Sequence, residues 1–296
     1  MKVSANKSPY RDIDRIPCGL PALDRLTNGG IPRKFTTELL GKAGTGKSTL
    51  ALFIIREAQK QGLKCFYADV ERTFAFDMAE RLGIDLKKLE MFYAETAEEY
   101  LNEIITGLEK KKYDLIVLDS IGALAAQDDY QNDLTAKGFP VLASLMTRLV
   151  PKIVSKLGEA NAAFIVVNHQ KTDMQGNMRT LGGAALMYHK ALSIKLYHNG
   201  TNLKQGDEIV GKVVMAKLEK IKPFLGGTAW GEVKLQYLAT DGFSVQADLL
   251  DEAIDRLIIR KEGGSYFLGD DKIAYGLPKM RIWLAENEEK IKELMV

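Results

Sequence analysis

The chain has 296 residues, 46% of them hydrophobic and 8% aromatic, which is enough apolar material for one large core and a small second unit. Its 41 basic and 39 acidic residues leave a formal net charge of +2, so any DNA-binding surface must be local. Cys18 and Cys65 lack the spacing of a disulfide framework or zinc site, and no run approaches the roughly 18 apolar residues of a membrane span.

The N-terminal 16 residues predict an extended arm. They are polar, contain Pro9 and are followed by Pro17, and they show no apolar periodicity. We place an α/β core over residues 17–244, where the periodic segments lie, and a small C-terminal subdomain over residues 245–296.

Strands and helices then alternate along the chain. A strand over 35–41 runs into a glycine-rich loop and a helix over 47–62. Further strands are predicted over 64–71, 89–95, 113–123 and 162–170, and helices over 74–83, 97–111 and 140–158. Nearly continuous apolar strands alternating with amphipathic helices predict an α/β fold with a mostly parallel central sheet covered on both faces.

After residue 190 the pattern changes to strands without helices between them. The segments 192–199, 208–222 and 230–242 predict an antiparallel extension of the sheet. A helix over 246–259, a strand pair over 263–276 and one helix over 277–295 predict a small α+β appendage.

The loop after the first strand carries the sequence "GKAGTGKST", which fits the P-loop frame G-x-x-x-x-G-K-[ST]. Such a loop exposes backbone N–H groups to phosphates at the N-terminus of a helix, the lysine adds a positive charge, and the serine hydroxyl is a ligand for Mg²⁺. A chance match in an ordinary turn is the alternative, which the strand before and the helix after disfavour. The predicted ATP-binding residues are Gly41, Lys42, Ala43, Gly44, Thr45, Gly46, Lys47, Ser48 and Thr49.

Polar side chains follow three other strands where those strands end. Asp119 ends "LIVLD" and is a candidate Mg²⁺ ligand with Ser48, whereas Glu71 ends "CFYADVE" and is a candidate to orient and deprotonate water. His169, in "VVNHQ", is a candidate sensor of the γ-phosphate. A capping role for Asp119, a surface ion pair for Glu71 and a purely structural role for His169 remain alternatives.

The segment "KTDMQGNMRTLGG", residues 171–183, predicts a functional loop because it has no apolar periodicity over about a dozen residues. Lys171 and Arg179 are candidates to contact nucleic-acid phosphates, and Gly182 and Gly183 leave backbone N–H groups accessible. A second loop over 125–139 is acidic and has less support as a DNA contact.

These motifs together resemble the RecA-type recombinases, most closely their phage, UvsX-like members. The resemblance covers residues 17–296 and includes "LIVLDSIGAL", "LGGAALMY" and "GSYFLGDDKIAYG". It implies a RecA core fold, ATP and Mg²⁺ as cofactors, DNA-dependent ATP hydrolysis, and head-to-tail filaments that perform homology search and strand exchange. It further implies single- and double-stranded DNA as partners, possible loader and single-strand-binding proteins, and the cytoplasm of a bacterial or phage-infected cell.

The resemblance also assigns individual positions. Glu71 corresponds to the residue that activates water, Asp119 to the Walker B residue, and His169 to the γ-phosphate sensor. Residues 171–183 match the second DNA-binding loop. Tyr188 matches an aromatic residue that passes the nucleotide state to the neighbouring subunit. Lys217 and, with less support, Lys220 match lysines that reach the ATP of that neighbour.

Some positions depart from the family pattern. Met78 replaces a tyrosine that stacks on adenine, and Ala43 replaces a P-loop glutamate. The long N-terminal helix of bacterial members is not expected here, so we predict that the arm contacts the neighbour through Tyr10 and Ile13. Two alternatives stay open, a regulatory paralogue without strand exchange and a hexameric helicase motor, although the tail over 245–296 resembles neither.

Overall fold

The computed structural model describes residues 8, 10–124, 138–172, 178–180 and 183–295. The strands of this described part are β1 Arg15–Ile16, β2 Ile31–Pro32, β3 Thr36–Gly41, β4 Cys65–Asp69, β5 Leu89–Phe92, β6 Leu115–Asp119, β7 Ala163–Thr172, β8 Met178–Thr180, β9 Lys190–Gln205, β10 Glu208–Ile221, β11 Glu232–Leu238, β12 Gly242–Phe243, β13 Ile259–Glu262, β14 Ser265–Leu268 and β15 Asp271–Tyr275. The helices are α1 Pro21–Leu26, α2 Lys47–Lys60, α3 Phe76–Arg81, α4 Ala97–Glu109, α5 Gly138–Ala160, α6 Gly183–His189, α7 Val245–Asp255, α8 Leu277–Glu286 and α9 Glu288–Glu293.

One large mixed sheet organises the fold, with the strand order β12-β11-β10-β9-β3-β7-β6-β4-β5. The six strands from β9 to β5 are parallel, whereas β10, β11 and β12 continue the sheet as antiparallel strands. The short strand β8 pairs with β7 outside this order. The predicted α/β class, with a parallel centre and an antiparallel extension, is therefore confirmed.

Both faces of the central sheet are buried, and successive residues of one strand enter different cores. In β7, Ile165 and Val167 belong to a core shared with α2, whereas Phe164 and Val166 belong to a core shared with α4 and α5. This two-sided burial explains why the strands read as nearly continuous apolar runs. It also brings the carboxyl ends of β3, β4, β6 and β7 to one edge of the sheet.

The C-terminal part builds a third core around the antiparallel sheet β13-β14-β15, with α7, α8 and α9 packed against it. The prediction of one helix over 277–295 is wrong, because α8 and α9 are separated at Asn287. The side chain of Asn287 donates from Nδ2 to the carbonyl oxygen of Trp283 at 2.8 Å, a local bond that competes with continuing the helix. The strand pair predicted here has a third member, β13. The domain boundaries at residues 16 and 244 remain predictions.

Residues 10–16 pack on their own chain. The Tyr10 ring lies 6.0 Å from the Phe35 ring, Ile13 packs against the core that contains α2, and β1 pairs with β2. Ile13 is partly buried by this packing, and the contact of the arm with a neighbouring subunit stays a prediction. Tyr10 keeps an exposed fraction of 48%.

Helix α5 is the longest in the described part of the chain and packs against α4 and α6. Its interior contains Pro151, and Leu145, Met146, Ile153 and Leu157 are buried along its inner face. None of the helices in the residues described is long and apolar enough to cross a lipid bilayer.

Candidate nucleotide-binding and catalytic site

The P-loop connects β3 to α2 at the carboxyl edge of the sheet. Gly44 and Gly46 have φ of +71° and +90°, the left-handed region that glycine enters without a Cβ clash. Gly46 caps α2 and no side chain caps that helix end, so backbone N–H groups remain for an anionic ligand. At Gly41 a Cβ would lie 2.4 Å from the carbonyl oxygen of Leu196 on β9. The sequence frame therefore corresponds to an anion-binding loop.

Lys47 and Thr45 close the loop on itself. Lys47 Nζ and Thr45 Oγ1 both donate to the carbonyl oxygen of Lys42, each at 2.9 Å. Lys47 is only 5% exposed, and burial lowers the pKa of its ammonium, an effect that the charges of Asp119 and Glu71 oppose. The ammonium is thus held on a backbone carbonyl at the place where phosphates would lie.

The next two P-loop positions differ in exposure. Ser48 is exposed at the first turn of α2, whereas Thr49 is buried and its hydroxyl lies 3.0 Å from the Tyr237 hydroxyl of β11. Ala43 is also exposed. Met78, in α3, is partly buried and packs against the core that contains α2.

Asp119 lies at the end of β6, 5% exposed and next to the P-loop. The Tyr67 hydroxyl donates to its Oδ2 at 2.6 Å, and the Ser48 hydroxyl also hydrogen-bonds its carboxylate. Burial raises the pKa of Asp119, whereas these two hydroxyl groups lower it. The predicted pair of Ser48 and Asp119 is therefore brought together. Tyr67 carried no signal in the sequence, because it reads as one more apolar residue of β4.

Glu71 and His169 meet at the same edge. His169 Nε2 lies 3.0 Å from Glu71 Oε1, and the Ser120 hydroxyl donates to the same carboxylate oxygen. Since an ionised carboxylate only accepts hydrogen bonds, His169 carries its proton on Nε2 in this contact. The sequence predicted Glu71 and His169 from their positions after strands. It missed Ser120, which follows Asp119.

A cleft of about 570 Å³ opens beside the P-loop, between Lys42 to Thr45 and the strands β9 and β10. The predicted residue Lys217 lines it, together with Lys195 and Lys212, which sequence reasoning missed. Lys212 Nζ donates to the carbonyl oxygen of Gly44, and Lys195 Nζ pairs with Glu219 at 3.3 Å. The cleft is therefore cationic, which suits an anionic ligand. Each of these lysines stands between apolar residues of a long strand, so in the sequence each looked like an ordinary solvated position.

Lys220 does not line this cleft. Its Nζ donates to the carbonyl oxygens of Met187 at 2.8 Å and Tyr188 at 3.4 Å, at the C-terminal end of α6. Burial lowers the pKa of Lys220, and the nearby Lys222 and Lys190 lower it further. The ring of Tyr188 is 70% exposed. Lys220 and Tyr188, which the resemblance assigned to separate roles, are therefore in direct contact.

The predicted DNA-binding loop is described only in part. Lys171 and Arg179 are directly paired across the antiparallel strands β7 and β8, and Gly183 begins α6. The side chains of Lys171 and Arg179, and all of Gly182, lie outside the description. The second predicted loop falls almost entirely within residues 125–137, which are outside it as well.

The P-loop on β3, the carboxylates after β4 and β6 and the histidine on β7 define a P-loop nucleoside triphosphatase. A family model described as the RecA N-terminal domain matches residues 1–243. The Protein RecA of Geobacter metallireducens is 31% identical to this chain over 99% of this chain and 87% of its own length. The Protein RecA of Thermus aquaticus is also 31% identical, over 97% of this chain and 85% of its own length. The Protein RecA of Citrifermentans bemidjiense is 30% identical over 98% of this chain and 86% of its own. The chain belongs to the RecA family.

Proposed function

We propose that this protein is a DNA-dependent ATPase and homologous recombination protein, which assembles on single-stranded DNA and promotes strand exchange. The chain belongs to the RecA family, and the resemblance of its motifs to the RecA-type recombinases implies this activity. The observation that carries the proposal for this chain is the convergence of Lys47, Ser48, Asp119, Glu71 and His169 at one sheet edge.

The residues fit ATP and Mg²⁺. The uncapped N-terminus of α2 and the ammonium of Lys47 would hold the phosphates, and the Ser48 hydroxyl beside the Asp119 carboxylate would hold the metal ion. Among the described residues, no group of three or more His, Cys, Asp or Glu is arranged to hold a metal ion. A P-loop magnesium site does not need one, because phosphate and water oxygens complete it. When bound, Mg²⁺ neutralises charge on the phosphates.

Hydrolysis needs a base and a group that responds to the γ-phosphate. Glu71 is the candidate base, since its exposed carboxylate lies at the strand edge and is oriented by the Ser120 hydroxyl. His169 is the candidate sensor. Its Nε2 lies 3.0 Å from Glu71 Oε1, and an N–H at this position is a group that a phosphate oxygen would attract instead.

DNA binding is assigned to residues 171–183, with Lys171 and Arg179 as phosphate contacts and Gly182 and Gly183 as sources of backbone N–H groups. The pairing of β7 with β8 supports this assignment, because it puts both cationic positions on adjacent backbones beyond the ATPase edge. The loop begins only two residues after the candidate sensor His169.

Assembly is assigned to head-to-tail contacts that include the nucleotide. Tyr188 is the candidate to pass the nucleotide state between subunits, and its exposed ring supports that role. Lys217 and Lys220 are candidates to reach a neighbour's ATP. The open position of Lys217 in the cationic cleft favours it over Lys220, which is engaged with α6. A heterologous interface that does not close gives a helical filament.

Within the family, we place the protein near the phage, UvsX-like members on the strength of His169 in the sensor position. Loader and single-strand-binding proteins are proposed as partners, and the cytoplasm of a bacterial or phage-infected cell as the location, from the family resemblance alone.

The proposed function is tested by measuring ATP hydrolysis and joint-molecule formation with homologous single- and double-stranded DNA. We expect hydrolysis to be stimulated by single-stranded DNA and joint molecules to form only with ATP, and Lys47→Ala to abolish both. Stimulated hydrolysis without joint molecules would identify a regulatory paralogue. Directional unwinding of duplex DNA without joint molecules would identify a helicase motor.

A further inference from the structure

A buried polar cluster lies behind the nucleotide site, in an otherwise apolar part of the sheet. It consists of Glu38 on β3, Asn168 on β7, and Lys190 and Ser193 on β9, all 9% exposed or less. Glu38 Oε1 accepts from Asn168 Nδ2 at 2.8 Å. Glu38 Oε2 accepts from Lys190 Nζ and from Ser193 Oγ, the latter at 2.6 Å. One carboxylate is thus bonded to residues of two neighbouring strands.

Stability alone does not account for this arrangement. Transferring a carboxylate and an ammonium from water into a protein interior is costly, and well-packed apolar side chains at such positions are often equally or more stabilising. The residue paired with Glu38 on β7 shows that an apolar side chain is accommodated at this level of the sheet, since Val166 is fully buried. A positional role for the cluster is therefore the better explanation.

The chain positions of its members suggest that role. Asn168 immediately precedes His169, and Lys190 immediately follows α6, which carries Tyr188. A single carboxylate therefore binds both ends of the segment 169–189. Glu38 itself lies three residues before Gly41, the first residue of the P-loop, on the same strand.

The end of α6 has a second attachment. Lys220 of β10 donates to the last carbonyl groups of that helix, and it is paired in register with Ser193 of β9. The helix that follows the proposed DNA-binding loop is consequently fixed to the sheet from two strands. A displacement of α6 would therefore act directly on the bonds of Glu38.

We propose that Glu38 and Lys190 are positioning residues of the ATPase, which hold both ends of segment 169–189 against the P-loop strand. Through this connection, DNA bound by the segment sets the position of His169 and Glu71 relative to the phosphates. The inference rests on the proposed function, because it takes residues 171–183 as the DNA-binding loop.

The test is the ratio of kcat for ATP hydrolysis with and without single-stranded DNA. For Lys190→Met we expect this ratio to fall about tenfold, a typical coupling between two sites, while KM for ATP without DNA changes less than about twofold. Lys190→Arg should restore most of the ratio, because it returns the charge. A loss of folded protein would lower both kcat values equally and leave the ratio unchanged.

Arg25→Met is the matched control. Arg25 Nε pairs at 2.5 Å with Glu252, whose side chain is as buried as that of Glu38, but this pair joins α1 to α7. After Arg25→Met, Glu252 keeps Arg256 as a hydrogen-bond donor, just as Glu38 keeps Asn168 after Lys190→Met. We expect Arg25→Met to keep the wild-type ratio.

Ser193→Ala is the milder variant, since it removes no charge and only the two hydrogen bonds of one hydroxyl, to Glu38 and from Lys190, and a fall of about threefold in the ratio is expected. The inference is overturned if DNA stimulates the wild type and both Lys190→Met and Ser193→Ala keep its ratio. An equal fall in Arg25→Met would overturn it too. A wild type that DNA does not stimulate would instead contradict the proposed function itself.

Discussion

The role proposed for Glu71 rests on the contacts of its carboxylate. One oxygen of the Glu71 carboxylate contacts both Ser120 and His169. The carboxylate of Asp119, at the end of the neighbouring strand β6, is buried and bonded to hydroxyl groups. The two carboxylates therefore have different environments. Asp119 is suited to holding a metal ion, and the more exposed Glu71 to moving a proton.

Glu71→Gln is expected to lower kcat for ATP hydrolysis by about 10² to 10⁴ and to leave ATP binding nearly unchanged. The reason is that glutamine keeps the size and hydrogen-bonding oxygen but cannot take a proton from water. Single-turnover hydrolysis and binding of a fluorescent ATP analogue measure the two quantities. Glu80→Gln, at an exposed position on the following helix, is the control. If Glu71→Gln hydrolyses ATP as fast as this control, Glu71 is not the base.

Two glycines of the P-loop are required for different reasons, Gly41 for close packing and Gly44 for its backbone conformation. A Cβ at Gly41 would collide with the carbonyl oxygen of Leu196, whereas at Gly44 it would meet no atom within 4 Å but would require a φ of +71°. We expect Gly41→Ala to reduce the free energy of unfolding by about 1–3 kcal/mol and Gly44→Ala by about 1 kcal/mol. Urea unfolding of both variants measures this, and a larger loss at Gly44 would contradict the geometry.

At the scale of elements, the junction of α1 with α7 should make stability depend on pH. Asp248 on α7 is 2% exposed and accepts from the backbone N–H of Ala22 at 3.0 Å. Its pKa is raised to about 7, mainly by burial and also by the charges of Asp24, Glu252 and Asp251, which together outweigh the lowering effect of the Ala22 N–H. A raised carboxyl pKa means that the folded state binds the proton more tightly than the unfolded state.

The contribution of Asp248 is therefore fully present below about pH 4 and is lost as the pH rises through about 7. Asp248→Asn removes this titration, so the fall in Tm between pH 5 and pH 8 should be smaller than in the wild type. Asp255→Asn, an exposed position on the same helix, is the control and should keep the wild-type fall. An unchanged pH dependence in Asp248→Asn would show that Asp248 ionises normally.

Much of the fold was predictable at this scale, because a two-sided parallel sheet leaves a strong periodic signal. The strand-end residues Glu71, Asp119 and His169 could be assigned to one edge for the same reason. Tyr67 and the partners of Glu38 could not, because such bonds depend on which strands are neighbours in space. The break at Asn287 was missed because a local bond such as that from Asn287 to Trp283 leaves no mark in the apolar pattern.

For the whole molecule, the salt dependence of DNA binding tests where the strand lies. Replacing Lys171 and Arg179 together by alanine should reduce the slope of log K against log salt concentration by about 1.4, roughly 0.7 for each phosphate that the protein no longer neutralises. Fluorescence anisotropy of labelled single-stranded DNA over a salt series measures the slope. Lys87→Ala with Lys88→Ala, exposed cations after α3, is the control. An unchanged slope in the loop variant would assign the DNA path to another surface.

In the proposed function, ATP bound at this sheet edge controls assembly on DNA. Negative-stain electron microscopy with a slowly hydrolysed ATP analogue, with and without single-stranded DNA, tests it most directly. We expect helical filaments when both are present, and none for Lys47→Ala under the same conditions, because the nucleotide lies in the proposed interface. Closed rings, or isolated subunits in the presence of both ligands, would contradict the account.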